Sequence, residues 1–142
     1  PTAVRGRTRP TVLTPHDGEY GLLTGSAPEP DRITAARRLA YDTGAVVLLK
    51  GVTTVIADPT GEVALVADAD ERLATAGSGD VLAGMVGAFL ASGMSGFRAA
   101  ALGAWVHGAA GRACWPVGTI ASDLVDALPE ILSEIWREQR GC

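Results

Sequence analysis

Three short stretches hold residue types that can do chemistry. The first is Gly77-Ser78-Gly79-Asp80, a glycine-rich loop that feeds a helical pattern. Backbone N–H groups at a helix N-terminus, unobstructed by Cβ atoms, form an anion site that the helix dipole reinforces. Asp80 has two readings there. As a plain carboxylate it would cap the helix, but beside a bound phosphate it makes more sense as a base acting on a substrate hydroxyl. The second stretch is Lys50-Gly51, which contains the chain's single lysine and is followed by Thr53 and Thr54. A cation, a flexible glycine and two hydroxyls arrive together just after an apolar run. Ligands of open α/β sheets gather beyond the carboxyl ends of strands; the plain alternative is a lysine emerging into solvent. The third is Thr14-Pro15-His16, with Glu19 close behind. His16 could serve as an acid/base group or a hydrogen-bond donor to a ligand, or it could be an ordinary turn histidine. His107, within Trp105-Val106-His107-Gly108, lies on a small-residue helical pattern and reads as a packed core histidine. Trp105, Trp115 and Trp136 read as core anchors.

These residues need elements to position them. Val12 to Thr14 form a β-prone run that stops at Pro15, because proline cannot extend a ladder. Asp17 and Glu19 suit the first turn of a helix ending near Gly25. A turn with Pro28 and Pro30 follows. Asp31 then caps a second helix that turns Ile33, Ala36, Leu39 and Ala40 inward and Arg32, Arg37 and Arg38 outward, with Gly44 as its stop. Ala45 to Leu49 is apolar without alternation, the pattern of a central parallel strand buried on both faces. Thr53 to Ala57 and Glu62 to Val66 flank Asp58-Pro59-Thr60-Gly61, a hairpin signal. Residues 67 to 79 read as loop. From Asp80, Val81, Leu82, Met85, Val86, Phe89 and Leu90 form one broad helical face that Gly93 closes. Further helices are expected from Gly96 to Cys114 and from Ser122, as N-cap, to Arg137. Pro129 suits a first turn better than an interior, so the last segment is expected to divide in two. This order of elements is an α/β layered arrangement.

Composition narrows the class. The chain has 142 residues, 47% hydrophobic, with mean hydropathy +0.21, so it is globular and bounded by one ordinary domain. A net charge of -4 argues against a nucleic-acid partner, since phosphate binding wants a basic stripe. No apolar run approaches the roughly 20 residues of a spanning helix, and Pro1 to Pro10 has no signal-peptide stretch, so no membrane role and a cytoplasmic location are expected. Two cysteines, Cys114 and Cys142, give neither a disulfide scaffold nor metal-ligand spacing. Cys114 reads as a small buried hydrophobe. Glycine is plentiful at 18 residues, and alanine too, which suits close helix packing and close backbone approach to a ligand.

Taken together, the motifs resemble one family. Leu13-Thr14-Pro15-His16 with Glu19, then Leu49-Lys50-Gly51, Gly77-Ser78-Gly79-Asp80-Val81-Leu82-Ala83-Gly84 and Ala99-Ala100-Ala101-Leu102-Gly103 with His107-Gly108 are similar, in order, to the nucleotide-dependent NAD(P)H-hydrate dehydratases of the ribokinase-like superfamily. The resemblance implies a three-layer α/β/α fold, of which residues 1–142 would be the C-terminal half of a single domain. It also implies dehydration of (S)-NADHX or NADPHX to NADH or NADPH, driven by ADP or ATP with Mg2+. Carried over by position, His16 and Asp80 would contact the hydrated cofactor, with Asp80 catalytic. Lys50, Gly51, Val52, Thr53 and Thr54 would bind the adenylate part, and Gly77, Ser78 and Gly79 the phosphates. No protein-held metal site is implied.

The family carries a longer segment ahead of the strand that here begins near Thr11, so the start at Pro1 reads as a mid-domain break. An exposed sheet edge would follow, and with it a homo-oligomer or association with the missing N-terminal half. Two other functions stay open. One is a ribokinase-like small-molecule kinase for a vitamin-precursor alcohol, since the Gly-Ser-Gly-Asp loop is shared across that superfamily. The other is a catalytically silent fragment of the dehydratase that only binds nucleotide.

Overall fold

The computed structural model describes residues 3–67 and 71–140. Cys142 and the first residue, Pro1, lie outside them, as do three positions of the loop expected over 67 to 79. Four strands form one sheet in the order β1 (Val12–Leu13), β2 (Val46–Leu49), β3 (Thr54–Ala57), β4 (Val63–Val66). β1 and β2 run parallel, with Val12 opposite Val46; β2, β3 and β4 pair antiparallel, with Leu48 opposite Ile56 and Thr54 opposite Val66. Two helices, α1 (Asp17–Thr24) and α2 (Arg32–Thr43), make the crossover from β1 to β2. Three more follow the sheet: α3 (Ser78–Ala91), α4 (Gly96–Ala113) and α5 (Ala121–Arg140).

Strand periodicity divides the core into two. Val46, Leu48 and Ile56 point to one face, where they pack with Leu82, Val86, Ala100, Val106 and Leu124 from α3, α4 and α5. Val47, Leu49, Val55 and Ala57 point to the other, against Tyr20 of α1 and Ala35, Ala36, Leu39 and Ala40 of α2. Every residue of β2 is buried, which is why its sequence shows no alternation. The result is helix, sheet, helix. Small residues set the spacing on the α3–α4 side: a Cβ on Gly103 would sit 2.7 Å from Val86 Cγ2.

The caps follow the sequence closely. The Asp31 carboxylate accepts the N–H groups of Ile33 and Thr34 at the start of α2, and Gly44 ends it in the left-handed conformation. The Asp58 carboxylate accepts from Thr60 and Glu62, fixing the β3–β4 turn.

Elsewhere the structure corrects the sequence. α3 begins at Ser78 rather than Asp80, because Gly77 takes φ +86° and turns the chain into the helix. Within the segment read as loop, Glu71–Ala74 is a 3₁₀ turn, tied to the end of α4 by Arg72 donating to the Gly111 and Arg112 carbonyls. α5 runs unbroken through Pro129 and starts before Ser122, since the Asp123 carboxylate accepts the Ile120 N–H at 2.9 Å. None of the tryptophans is a core anchor: Trp105 is 41% exposed, Trp136 54% and Trp115 77%. Cys114 is only partly buried, at the edge of the core. Among the described residues no helix is long and apolar enough to cross a membrane.

Candidate active site

The loops at the carboxyl ends of β1 and β2 meet the N-terminus of α3 around one cavity of about 710 Å³. β1 delivers His16, which caps α1. Its Nδ1 accepts the Glu19 N–H at 3.1 Å, and the Glu19 carboxylate accepts the His16 N–H at 2.8 Å. This reciprocal capping box orients the ring, and in the neutral imidazole it places the proton on Nε2. β2 delivers Lys50, whose own N–H donates to the Pro15 carbonyl, locking the two strand ends together. Lys50 Nζ lies 3.3 Å from Glu19 Oε2, and His16 Nε2 lies 3.6 Å from the same oxygen. One carboxylate thus links both loops. The His16 backbone hydrogen bond, reinforced by Lys50, holds the Glu19 carboxyl below its ordinary pKa against the opposing effect of burial.

Lys50 also reaches the third element. A Cβ on Gly79 would lie 3.2 Å from Lys50 Nζ, so the ammonium sits directly over the first turn of α3. No side chain caps that turn. A helix N-terminus left open beside a cation is a place for a phosphate. Ser78 is buried beneath it, its hydroxyl donating to the Leu73 carbonyl.

Of the residues singled out in the sequence, His16, Lys50, Gly51, Val52, Thr54, Ser78 and Gly79 all line the cavity. Thr53, Gly77 and Asp80 adjoin it without forming its wall; Asp80 is exposed on the first turn of α3. Glu71, Leu73 and Thr75, from the segment read as loop, complete the wall with Leu82 and His107. Arg32, read as solvent-facing, is in fact half-buried. It donates to the Lys50 carbonyl at 2.7 Å and pairs with Asp17 at 2.8 Å. A Cβ on Gly51 would meet its guanidinium at 2.8 Å, the local reason for glycine there. Its position at the start of α2, facing the β2 end, is the one signal that could have revealed this.

A family model for NAD(P)H-hydrate dehydratase matches residues 2–133. The chain belongs to that family. The dehydratase likeness extends to curated relatives. The bifunctional NAD(P)H-hydrate repair enzyme Nnr of Mycobacterium tuberculosis is 57% identical over 101 residues, which cover 71% of this chain and 21% of that protein. The ADP-dependent (S)-NAD(P)H-hydrate dehydratase of Neisseria meningitidis is 42% identical over 117 residues, covering 80% of this chain and 40% of that one. A crystal structure of the ADP/ATP-dependent NAD(P)H-hydrate dehydratase from Bacillus subtilis, co-crystallised with ATP and Mg2+, superposes with a TM-score of 0.82 at 30% identity, covering 93% of this chain and 52% of that chain. The three-layer α/β/α arrangement is therefore the ribokinase-like dehydratase fold. The chain spans about half of the solved dehydratase chain and about a fifth of the mycobacterial repair enzyme.

Proposed function

We propose that residues 1–142 are the C-terminal, nucleotide-binding half of a dehydratase domain that converts (S)-NADHX or NADPHX to NADH or NADPH with ADP as co-substrate. The observation that carries this reading is the convergence on one cavity of Lys50, the uncapped first turn of α3 and the His16 loop. Hydroxide is a poor leaving group, so the ring hydroxyl of the hydrated cofactor needs activation. Asp80 takes the hydroxyl proton as the terminal phosphoryl group passes from ADP to the hydroxyl oxygen, leaving AMP. Elimination of phosphate with a ring proton then restores the dihydropyridine. The first-turn N–H groups of α3 and Lys50 stabilise charge on the moving phosphoryl group. Lys50 to Thr54 hold the adenylate part, and His16 positions the cofactor.

ATP could take the place of ADP, since both present phosphates to the same turn. A magnesium ion accompanying the nucleotide would be held chiefly by phosphate oxygens and water, with one or two carboxylates. Glu71 in the cavity wall and Asp80 at its rim have the chemistry to share it, and the ion would neutralise phosphate charge. Among the described residues no group of three His, Cys, Asp or Glu side chains could hold a metal ion. On the same reading the protein works in the cytosol, and the outer edge of β1 receives the preceding strands of the domain.

The test is to incubate the full-length protein with NADHX and follow NADH absorbance with and without ADP. ADP-dependent recovery is expected; NADH formation that does not depend on ADP or ATP overturns the proposal. Asp80→Asn should abolish turnover and leave ADP binding largely intact. Loss of both together would make Asp80 a structural cap instead of the base.

A further inference from the structure

Arg32 stands in an unfavourable place for a cation. It is the first residue of α2, where the helix dipole opposes positive charge, and its Nε is enclosed with no hydrogen-bond partner among the described residues. Its ion pair returns little stability, because the Asp17 side chain is 59% exposed. Stability alone therefore does not account for an arginine here. What the guanidinium holds is the bend that carries the chain out of β2: residues 50–53 leave the ladder before β3 begins at Thr54. Lys50 is fixed from two sides at the start of that bend. Its N–H donates to the Pro15 carbonyl at 2.9 Å, and its carbonyl accepts from Arg32 Nη2 at 2.7 Å. Among the described residues lining the cavity are Lys50, Gly51 and Val52 but neither Arg32 nor Asp17, so the guanidinium works from behind the bend.

We infer that Arg32 is a positioning residue for nucleotide binding, which sets the course of residues 50–53 past the cavity by holding the Lys50 carbonyl and lying against Gly51. This rests on the proposed nucleotide site and adds to it a residue that does not touch the ligand. A charge-assisted hydrogen bond is short and strong, and the planar guanidinium gives it direction. Nη1 donates to Asp17 at 2.8 Å, which orients the fork so that Nη2 meets the carbonyl. The next residue is shaped to admit it. A Cβ on Gly51 would lie 2.8 Å from Nη2 and 3.2 Å from Cζ, so glycine and arginine form one fitted pair. A bend set before ADP arrives serves the bound complex and the transition state alike, so its loss falls on KM and leaves kcat.

The experiment measures ADP affinity by calorimetry, and kcat and KM for ADP, on variants of the full-length protein. Arg32→Ala should weaken ADP about tenfold, the worth of one hydrogen bond to a charged group, and raise KM to match with kcat kept. Arg32→Lys should recover part of the loss. Asp17→Asn removes the exposed ion pair and spares the Lys50 bond, so ADP affinity should stay within about twofold of the wild type. Gly51→Ala gives the sharper contrast, since its methyl meets the end of a flexible side chain that can move aside and leave the fold intact. It should weaken ADP in the wild type and add no further loss once Arg32 is alanine. Additive losses in the double variant, wild-type affinity in Arg32→Ala, or a fall in kcat at unchanged KM each overturn the inference while the nucleotide site stands. Should ADP not bind the wild type at all, the proposed function fails and this inference with it. If Arg32→Ala does not fold, the smaller loss expected from Gly51→Ala in an Arg32→Lys background decides instead, and an undiminished loss there overturns the inference.

Discussion

The Glu19 carboxylate accepts one backbone N–H and faces two side-chain cations or potential cations, so its charge matters to the mouth of the cavity more than its half-exposed position suggests. Its folded pKa lies below the ordinary value of 4.5. A lowered folded pKa means that the unfolded chain binds the proton more readily, so Glu19 stabilises the fold above pH 4.5 and that contribution is lost as pH falls through the lowered value. The urea midpoint of Glu19→Gln should therefore fall below that of the wild type at neutral pH, and the two should converge in acid below 4.5. A constant gap at every pH would show that the ionic form contributes nothing. Single residues were unevenly legible. Lys50 could be picked out because it follows an apolar strand, and Gly79 because glycines cluster at a helix start. The Arg32 hydrogen bond to the Lys50 carbonyl leaves only its place at the start of α2 as a trace, since it depends on which helix comes to lie against the β2 loop.

Elements with strong local signals matched their sequence, and those decided by tertiary contact did not. Asp31 and Gly44 bracket α2 because cap chemistry is local. The 3₁₀ turn is held by its own Arg72, which donates to the Gly111 and Arg112 carbonyls of α4, and α5 survives Pro129 because Leu124 and Ile131 on either side are buried against the core. Proline in a helix interior is disfavoured by about 3 kcal/mol relative to alanine, so Pro129→Ala should raise stability by up to about that amount in chemical denaturation; an unchanged or lower midpoint would mean that the proline ring contributes packing that alanine cannot replace. α3 allows a sharper contrast between two glycines. Gly84 has nothing within 4 Å of a built Cβ, so Gly84→Ala should stabilise by about 1 kcal/mol and spare ADP affinity. At Gly79 the added methyl would lie 3.2 Å from Lys50 Nζ and should weaken ADP about tenfold, roughly 1.4 kcal/mol. Equal ADP affinity in the two variants would remove the first turn of α3 from the binding site.

The layered architecture was readable from the order of strand and helix patterns, while the tryptophan positions were not, because aromatic bulk says nothing of which face a helix presents. Trp115 and Val117 are 77% and 87% exposed, and β1 pairs on one side only among the described residues. Apolar side chains and a sheet edge left open together favour association. In sedimentation the 142-residue chain should run larger than its 14.5 kDa monomer mass; a monodisperse monomer at high concentration would count against that. The two-faced burial of β2 has another consequence, for how this sequence can change length. Alternate residues of β2 belong to separate cores, so adding or deleting one residue inside Val46–Leu49 would exchange the partners of every side chain beyond it. The Asp58–Gly61 turn, by contrast, exposes Pro59 and Thr60 and can lengthen between them without touching either core. Insertions and deletions that survive among descendants of this chain should therefore collect at that turn and be missing from the strand beside it.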